Sequence, residues 1–344
     1  MTNIRGDPGS LQLTGWLTAH CSFPPALHIE YNEQRNRLYP HLGRGTGGVM
    51  SVTPISDRSK VTVATIREKK LRHEPITSLT AYDYATARLV DEAGLDIILV
   101  GDSLAQVVLG YDNTLPVTVD EMLHHTRAVR RAVKRAMVVA DMPYASYHVS
   151  RRDAVKNAAR FMKEAGAEAV KLEGGQKRAD LVRNFIDAEI PVMGHIGLTP
   201  QSVHAMGGYK VQGKTQAAIE QLVRDAVALD RAGAFTIVLE GIPREVAAMI
   251  TKEVDAATIG IGAGPDCDGQ ILVFHDLVGL SFTPPAKFVR QYVNAGALIR
   301  DAVEAYRRDV LGGTYPNDAE SYHVPKDTAA AMDIDELRKP AVAN

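Results

Sequence analysis

The sequence predicts an α/β protein in which eight parallel strands, each followed by a helix, close into a (β/α)8 TIM barrel. From about residue 60 onward, short runs rich in Val and Ile alternate regularly with longer amphipathic segments. The number of apolar runs is eight. Several helix-like segments also end in glycine just before the next run, as a helix C-terminus does. A doubly wound open sheet is the alternative fold, because a strand count from one sequence can err by one or two.

Each predicted strand is a short apolar run bounded by turn residues. In chain order the runs are 76–83, 96–102, 137–143, 167–174, 191–197, 235–241, 258–264 and 272–280.

Helices are predicted between the strands at 119–133, 150–165, 177–188, 215–232 and 244–253. The helix at 150–165 has a good start, since Ser150 is an N-cap candidate with Asp153 three residues later. A last helix over 286–311 carries apolar residues at helical spacing, and we expect them to pack on the barrel, with a subunit contact as the alternative. They are Phe288, Tyr292, Ala295, Ile299, Val303 and Tyr306.

A weak internal repeat links these elements. Three helices end in Ala-Gly, at Gly94, Gly166 and Gly233, and each feeds a strand that finishes on an acidic residue. Those acids are Asp102, Glu173 and Glu240. The repeat predicts that they lie where their strands leave the barrel.

The two chain ends lack this organisation. Residues 1–59 show no apolar period, so we expect a disordered extension, with Met50 as an alternative initiator. The catalytic barrel with its last helix is assigned to residues 60–312, and residues 313–344 to a short tail.

Composition excludes several classes of protein. The 344 residues include 39 Lys+Arg and 41 Asp+Glu, for a formal net charge of −2, which argues against a cationic nucleic-acid binder. A hydrophobic share of 45% argues against disorder of the whole chain. No run approaches the length of a membrane span. Two cysteines, Cys21 and Cys267, cannot make a disulfide framework, so the chain is expected in the cytoplasm.

The candidate catalytic and metal-binding side chains lie at the ends of the predicted strands. Asp102, Asp141, Glu173 and Glu240 fall at strand ends, where barrel enzymes place catalytic groups. Carboxylates crowded at one rim repel each other, and a divalent cation such as Mg²⁺ would balance their charge. Lys171 lies two residues before Glu173, on the same side of its strand, and both are expected to point into the barrel mouth. His195 either supports this site through a hydrogen bond or is a hydrogen-bonded core histidine.

Glycine-rich pieces are less specific. The run 260–264 near strand seven lacks the spacing of a dinucleotide fingerprint, and close backbone packing is favoured slightly over a phosphate site. The stretch 207–214 is not a phosphate-binding P-loop. Cys267 has no histidine nearby in sequence and is interpreted as an incidental thiol.

Nine segments together resemble the 3-methyl-2-oxobutanoate hydroxymethyltransferase (ketopantoate hydroxymethyltransferase) family, in order over about residues 60–315. They are VGDSL at 100–104, TLPVT at 114–118, ADMP at 140–143, VKLEGG at 170–175, GHIGLTPQS at 194–202, GGYKVQGK at 207–214, VLE at 238–240, GIGAG at 260–264 and DGQ at 268–270. As a set they are highly specific.

The resemblance implies a phosphoenolpyruvate/pyruvate-like barrel that transfers a one-carbon unit from 5,10-methylenetetrahydrofolate to 3-methyl-2-oxobutanoate, giving ketopantoate in pantothenate biosynthesis. It implies one Mg²⁺ per subunit, bound by Asp102, Asp141 and Glu173, which stabilises an enolate of the oxo acid. Asp102, Ser103, Asp141 and Lys171 are implied to bind the substrate, and Glu240 to be the proton acceptor. A large homo-oligomer such as a decamer is implied, with no nucleic-acid or membrane partner.

Two other functions remain open from the residues. One is a related oxo-acid barrel, such as an isocitrate-lyase-like or phosphonopyruvate-type lyase, although neither cysteine lies in the Lys-Lys-Cys-Gly-His context of an isocitrate lyase. The other is a barrel binding module without turnover. The set of rim acids argues against it, because unpaired acids without a metal would only destabilise the fold.

Overall fold

The computed structural model describes residues 59–331, and within this part the eight strands close into one parallel barrel in chain order. The last strand pairs with the first through Ile76 and Gly269, which completes the closure. The fold class predicted from sequence is therefore confirmed. The strands are β1 Ile76–Thr80, β2 Ile97–Val100, β3 Met137–Asp141, β4 Ala169–Glu173, β5 Val192–Gly197, β6 Thr236–Glu240, β7 Ala257–Ile261 and β8 Gly269–Leu272.

Twelve α-helices lie in the same part of the chain, and the longer ones between β1 and β7 pack around the barrel. They are α1 Val63–Leu71, α2 Tyr84–Glu92, α3 Leu104–Val107, α4 Val119–Ala132, α5 Arg151–Ala165, α6 Ala179–Asp187, α7 Val203–Met206, α8 Gln216–Arg231, α9 Arg244–Glu253, α10 Phe274–Val278, α11 Ala295–Gly312 and α12 Lys326–Ala331.

Local sequence signals set the helix ends. The Ser150 side chain accepts a hydrogen bond from the backbone N–H of Asp153 and so caps α5, as predicted. Gly94, Gly166 and Gly233 follow α2, α5 and α8 with positive φ angles of 84°, 73° and 101°. Only glycine adopts this left-handed backbone without strain, so the three Ala-Gly endings mark helix ends that lead directly into strands.

The core has two layers. Inside the barrel, side chains such as Leu99, Met137 and Val139 fill the interior, and α1 with its lead-in covers the N-terminal end of the barrel through Val61 and Ile66. A larger layer lies between the outer face of the strands and the helices. The packed interior leaves the two ends of the barrel as the places where polar side chains collect.

The position predicted for the eighth strand is wrong. The strand spans Gly269–Leu272, and most of the predicted run at 272–280 instead forms the short helix α10. Gly269 is needed at its place because a Cβ there would collide with the backbone oxygen of Ile76 on β1. The apolar run misleads because Phe274 and Leu277 pack against the outer core from a helix, and a short apolar run has no diagnostic period.

The prediction for the last helix is also partly wrong. It begins at Ala295, where Asn294 caps it, and not at residue 286. None of its residues is buried, so its apolar face does not pack on the barrel of its own chain. Large apolar side chains on this helix stay exposed, namely Leu298, Ile299, Val303, Tyr306, Val310 and Leu311.

The interpretations placed on residues 1–58, including Met50 and Cys21, lie outside the described residues, as does the end of the tail after residue 331. The domain boundaries therefore stay a prediction. Across residues 59–331, no helix combines the length and the apolar character that a membrane crossing requires.

Candidate active site

The predicted site residues meet at the C-terminal mouth of the barrel. Asp141, Glu173 and Glu240 are the last residues of β3, β4 and β6. Asp102 follows β2 by two residues, and His195 lies in β5. All are buried except Glu240, which is partly accessible. The structure thus brings together side chains that lie up to 138 positions apart in the chain (102 to 240).

Lys171 places a positive charge among these acids. Its Nζ lies 2.6 Å from Asp141 Oδ1 and 3.3 Å from His195 Nδ1. Burial alone would lower the pKa of Lys171, but the charges of Asp141, Glu173 and Asp102 outweigh it and raise the pKa above its ordinary value. The ammonium group is therefore charged at neutral pH and neutralises part of the carboxylate cluster.

The two aspartates form the most crowded part of the mouth. The backbone N–H of Asp102 donates to Asp141 Oδ2 at 3.0 Å, which fixes one carboxylate against the other residue's backbone. Burial, followed by the charges of Asp141 and Glu173, raises the pKa of Asp102 well above its ordinary value. Burial also raises the pKa of Asp141, although Lys171 opposes the shift. One lysine does not relieve this cluster, and a further cation would.

His195 links two other carboxylates. Its Nδ1 lies 3.5 Å from Glu173 Oε1, and its Nε2 lies 3.2 Å from Glu240 Oε2. Burial and Lys171 lower the pKa of His195, but the two glutamates outweigh them and raise it to about 9. For Glu173, burial is outweighed by His195, so its pKa falls below the ordinary value. The histidine therefore stands between Glu173 and Glu240, and the two carboxylates favour its protonated form.

These residues suit a hard divalent cation. In the described part of the chain, no three His, Cys, Asp or Glu side chains converge tightly enough to hold a metal by themselves. Mg²⁺ does not need that, because it commonly takes one or two protein carboxylates and completes its octahedron with water and substrate oxygens. Asp141 Oδ1 and Glu173 Oε1 are buried without an aligned hydrogen-bond donor among residues 59–331, although cations lie close to both. Carboxylate oxygens of this kind are the ligands that Mg²⁺ prefers.

Three uncharged side chains complete the site. None of them was predicted from the sequence as a site residue. Tyr82, buried on the loop after β1, shares a 2.8 Å hydrogen bond with Ser103. Gln201 and Tyr147 are buried together beside Asp102 and Glu173. Gln201 lies in the segment 194–202 that carries much of the resemblance, but a neutral amide gives no signal of its role without its neighbours.

The glycine-rich run near strand seven serves packing. A Cβ at Gly260 would meet the Cys267 sulfur at 2.9 Å, and Gly262, with φ +61°, lies against the Phe288 ring. Cys267 is half-buried, and burial raises its thiol pKa to about 11. Both findings agree with the interpretation as close packing and as an incidental thiol.

Fold and site together define a barrel enzyme whose mouth holds buried carboxylates around one lysine and one histidine. The sequence profile of the family described as Ketopantoate hydroxymethyltransferase matches residues 60–318. The chain belongs to this family, as the motif resemblance predicted.

Individual relatives support the same family membership. A protein of Koribacter versatilis named 3-methyl-2-oxobutanoate hydroxymethyltransferase is 68% identical over 85% of this chain and 99% of its own length. A protein of Syntrophomonas wolfei with the same name is 56% identical over 78% of this chain and 98% of its own.

Solved structures support the fold alone. 2,3-Dimethylmalate lyase, described as a member of the PEP mutase/isocitrate lyase superfamily, matches with a TM-score of 0.50 at 18% identity, covering 80% of this chain and 96% of that one. Phosphonopyruvate hydrolase matches with a TM-score of 0.51 at 14% identity, covering 81% and 97%.

Proposed function

We propose that this enzyme transfers a hydroxymethyl unit from 5,10-methylenetetrahydrofolate to 3-methyl-2-oxobutanoate, giving 2-dehydropantoate (ketopantoate) for pantothenate and coenzyme A biosynthesis. Family membership supports the activity. The main observation that supports separate roles for the carboxylates is their geometry. Asp102 and Asp141 gather near Lys171, whereas Glu240 stands on the other side of His195 and is more accessible. Asp102 and Asp141 are thus suited to bind the cation and the substrate, and Glu240, which is separate from them, is suited to react with the substrate.

The binding group would hold Mg²⁺ and the oxo acid. The cation's ligands would come from among Asp102, Asp141 and Glu173, with one Mg²⁺ per subunit, and a bound Mg²⁺ would supply Lewis-acid stabilisation of enolate charge. Lys171 and Ser103 would bind the substrate carboxylate beside the two aspartates. Tyr82 fixes the Ser103 hydroxyl through its 2.8 Å hydrogen bond, so that contact is pre-organised.

Glu240 would act as the base. Its carboxylate takes the proton from C3 of the oxo acid, and the electron pair of that C–H bond becomes the enolate. Water hydrolyses the methylene bridge of the folate by breaking both of its C–N bonds, which releases tetrahydrofolate and leaves the carbon as formaldehyde. The enolate carbon then bonds to the formaldehyde carbon, and the carbonyl oxygen takes up the proton to become the new hydroxyl group. His195 Nε2, 3.2 Å from Glu240 Oε2, orients the base and balances its charge. Because Glu240 lies apart from the proposed metal ligands, its charge stays available for the proton.

A labelled turnover assay tests this function. The full-length protein is incubated with 3-methyl-2-oxobutanoate, Mg²⁺ and 5,10-methylenetetrahydrofolate that carries ¹³C in the methylene group. We expect 2-dehydropantoate with one added ¹³C, detected by mass spectrometry, and none when the folate is omitted. Cleavage of phosphonopyruvate or isocitrate in place of labelled product would favour the lyase alternative.

The proposal includes a homo-oligomer, for which the last helix gives the physical reason. Helix α11 exposes a row of large apolar side chains, and the barrel face beside β8 and β1 offers an apolar groove lined by residues such as Leu89, Leu277 and Tyr292. A second copy of the chain is an occupant that would cover such a face. A decamer is the size that the family resemblance implies.

Sedimentation velocity tests this part. We expect a large assembly for the wild type and smaller species for Ile299→Asp or Val303→Asp. Arg308→Asp, an exposed residue on the opposite face of the same helix, is the charge control and should leave the assembly unchanged. A wild-type monomer would contradict the proposed homo-oligomer.

A cytoplasmic location of the enzyme belongs to the same proposal and is checked by cell fractionation.

A further inference from the structure

We propose that Gln201, fixed by Tyr147, is a positioning residue that holds the carboxylates of Asp102 and Glu173 in the arrangement that binds a divalent cation. This inference rests on the proposed function, because it concerns the cation of that site. It assigns a role to two neutral residues that touch neither the reacting atoms nor the cation.

Gln201 contacts both carboxylates at once. Its backbone N–H donates to Glu173 Oε2 at 3.0 Å, and its side-chain Nε2 donates to Asp102 Oδ2 at 2.9 Å. The same Nε2 donates its other hydrogen to the backbone oxygen of Met142 at 3.0 Å. One residue on the turn after β5 therefore ties the loop after β2, the loop after β3 and the end of β4 together.

Tyr147 determines which way the Gln201 amide faces. The Tyr147 hydroxyl accepts the backbone N–H of Glu173 at 3.1 Å, so its own hydrogen is free to donate to Gln201 Oε1 at 2.6 Å. With its oxygen satisfied by that hydroxyl, the amide must present its NH₂ group to Asp102 and Met142. The Tyr147 hydroxyl also lies 3.5 Å from the backbone oxygen of Glu173, but its 2.6 Å contact with Gln201 Oε1 is much shorter, and both side chains are buried.

The consequence is a fixed choice of oxygens. Oδ2 of Asp102 and Oε2 of Glu173 are engaged by Gln201, whereas Glu173 Oε1 has no aligned donor in the described residues. The engaged oxygens anchor each carboxylate, and the other oxygens, including Glu173 Oε1 with His195 Nδ1 at 3.5 Å, are the ones a ligand would use. Hydrogen-bond partners that orient metal ligands in this way typically contribute 10–100-fold to metal affinity.

The test uses Mn²⁺ alone as the probe, titrated into the full-length protein without substrates, with free Mn²⁺ measured by electron paramagnetic resonance. Tyr147→Phe removes the hydroxyl and keeps the ring, and Gln201→Ala removes the amide. Ser146→Ala is the matched control. Ser146 is buried on the same loop, and its hydroxyl bonds only to the backbone oxygen of Pro143 among the described residues. Thermal unfolding of every variant separates metal affinity from general stability.

We expect Tyr147→Phe and Gln201→Ala to raise the Mn²⁺ dissociation constant about 10–100-fold, and Ser146→Ala to leave it within about twofold. The double variant should match Gln201→Ala, because both changes act through the same hydrogen bond. If Gln201→Ala does not fold, Tyr147→Phe alone decides.

Wild-type affinity in Tyr147→Phe would overturn the inference, as would an equal loss in Ser146→Ala. Failure of the wild type to bind Mn²⁺ would also overturn it, but the one-carbon transfer would still be decided by the labelled turnover assay.

Discussion

Acidic side chains collect at both ends of this barrel, and the two groups have opposite surroundings. At the N-terminal end each acid is matched by a lysine, an arginine or backbone N–H groups. At the C-terminal end Lys171 and His195 lie among the acids, yet burial and the neighbouring carboxylates still raise the pKa of Asp102 well above its ordinary value. The difference separates acids that hold the fold from acids that are available to a ligand.

The N-terminal end repeats one arrangement. Asp96, Glu168 and Asp268 each stand just before a strand and accept the N–H of a residue on a neighbouring strand, at 2.7–2.9 Å. Each also meets a lysine from the segment that covers this end, at 2.6–2.9 Å; these are Lys69 for Asp96, Lys60 for Glu168 and Lys70 for Asp268.

The comparison gives a physical criterion for function. A buried acid with its cation and N–H donors in place lowers the free energy of the folded state, and nothing further is needed. Burial and then the neighbouring carboxylates raise the pKa of Asp102 well above its ordinary value, and a bound cation would favour its charged form. The same residue type therefore has different consequences at the two ends, which matched Asp→Asn substitutions would show.

The largest expected effect is at the C-terminal end. Asp102→Asn keeps the shape of the side chain but removes one proposed ligand and one repelling charge. We expect Mn²⁺ affinity to fall at least about 100-fold and turnover to be lost, whereas the unfolding free energy of the metal-free protein should rise by about 1 kcal/mol. Metal titration and urea unfolding of one preparation measure both. A variant that loses stability yet binds metal normally would place Asp102 with the structural acids.

The matched substitution at the N-terminal end should lower stability and leave metal binding unchanged. Asp96→Asn removes the charge that pairs with Lys69 and Arg135 inside the barrel wall. We expect a loss of about 2–3 kcal/mol in unfolding free energy, with Mn²⁺ affinity and turnover of the folded protein unchanged. A change in metal affinity would show that the two ends are not independent.

Asp96 should also contribute to acid sensitivity. Burial alone would raise its pKa, but Lys69 and Thr77 outweigh it and lower the pKa below the ordinary value of 3.8. Its stabilisation is thus fully present above about pH 4 and is lost as the pH falls through the lower pKa of the folded state. We expect the stability difference between wild type and Asp96→Asn to narrow below pH 4 in urea titrations. A difference that is constant from pH 7 to pH 3 would contradict this.

The smallest effect should come from the more exposed pair of the N-terminal end. Lys60 and Glu168 side chains are 30% and 29% exposed, so water screens their ion pair. We expect Lys60→Met to cost about 1 kcal/mol or less, because the apolar stem is kept. If Lys60→Met lost as much unfolding free energy as Asp96→Asn, burial would not determine how much each ion pair stabilises the fold.

The sequence predicted the barrel, seven of its strands and the acids of the mouth, because apolar periods and strand-end positions are local signals. It did not predict β8, since a four-residue strand starting at a glycine has no period to recognise. Nor did it predict Gln201 and Tyr147, whose roles depend on hydrogen bonds across 54 positions of sequence. The apolar face of α11 was recognised, but periodicity does not say which surface covers it.

The exchange of the C3 proton of 3-methyl-2-oxobutanoate in deuterated water, followed by ¹H NMR with Mg²⁺ and without folate, tests the division between binding acids and a reacting acid most directly. We expect the wild type to exchange this proton. Glu240→Gln should slow the exchange by about 10²–10⁴-fold while the affinities for Mn²⁺ and for the oxo acid stay near those of the wild type. Unchanged exchange in Glu240→Gln would contradict the account, as would a loss of metal affinity equal to that of Asp102→Asn.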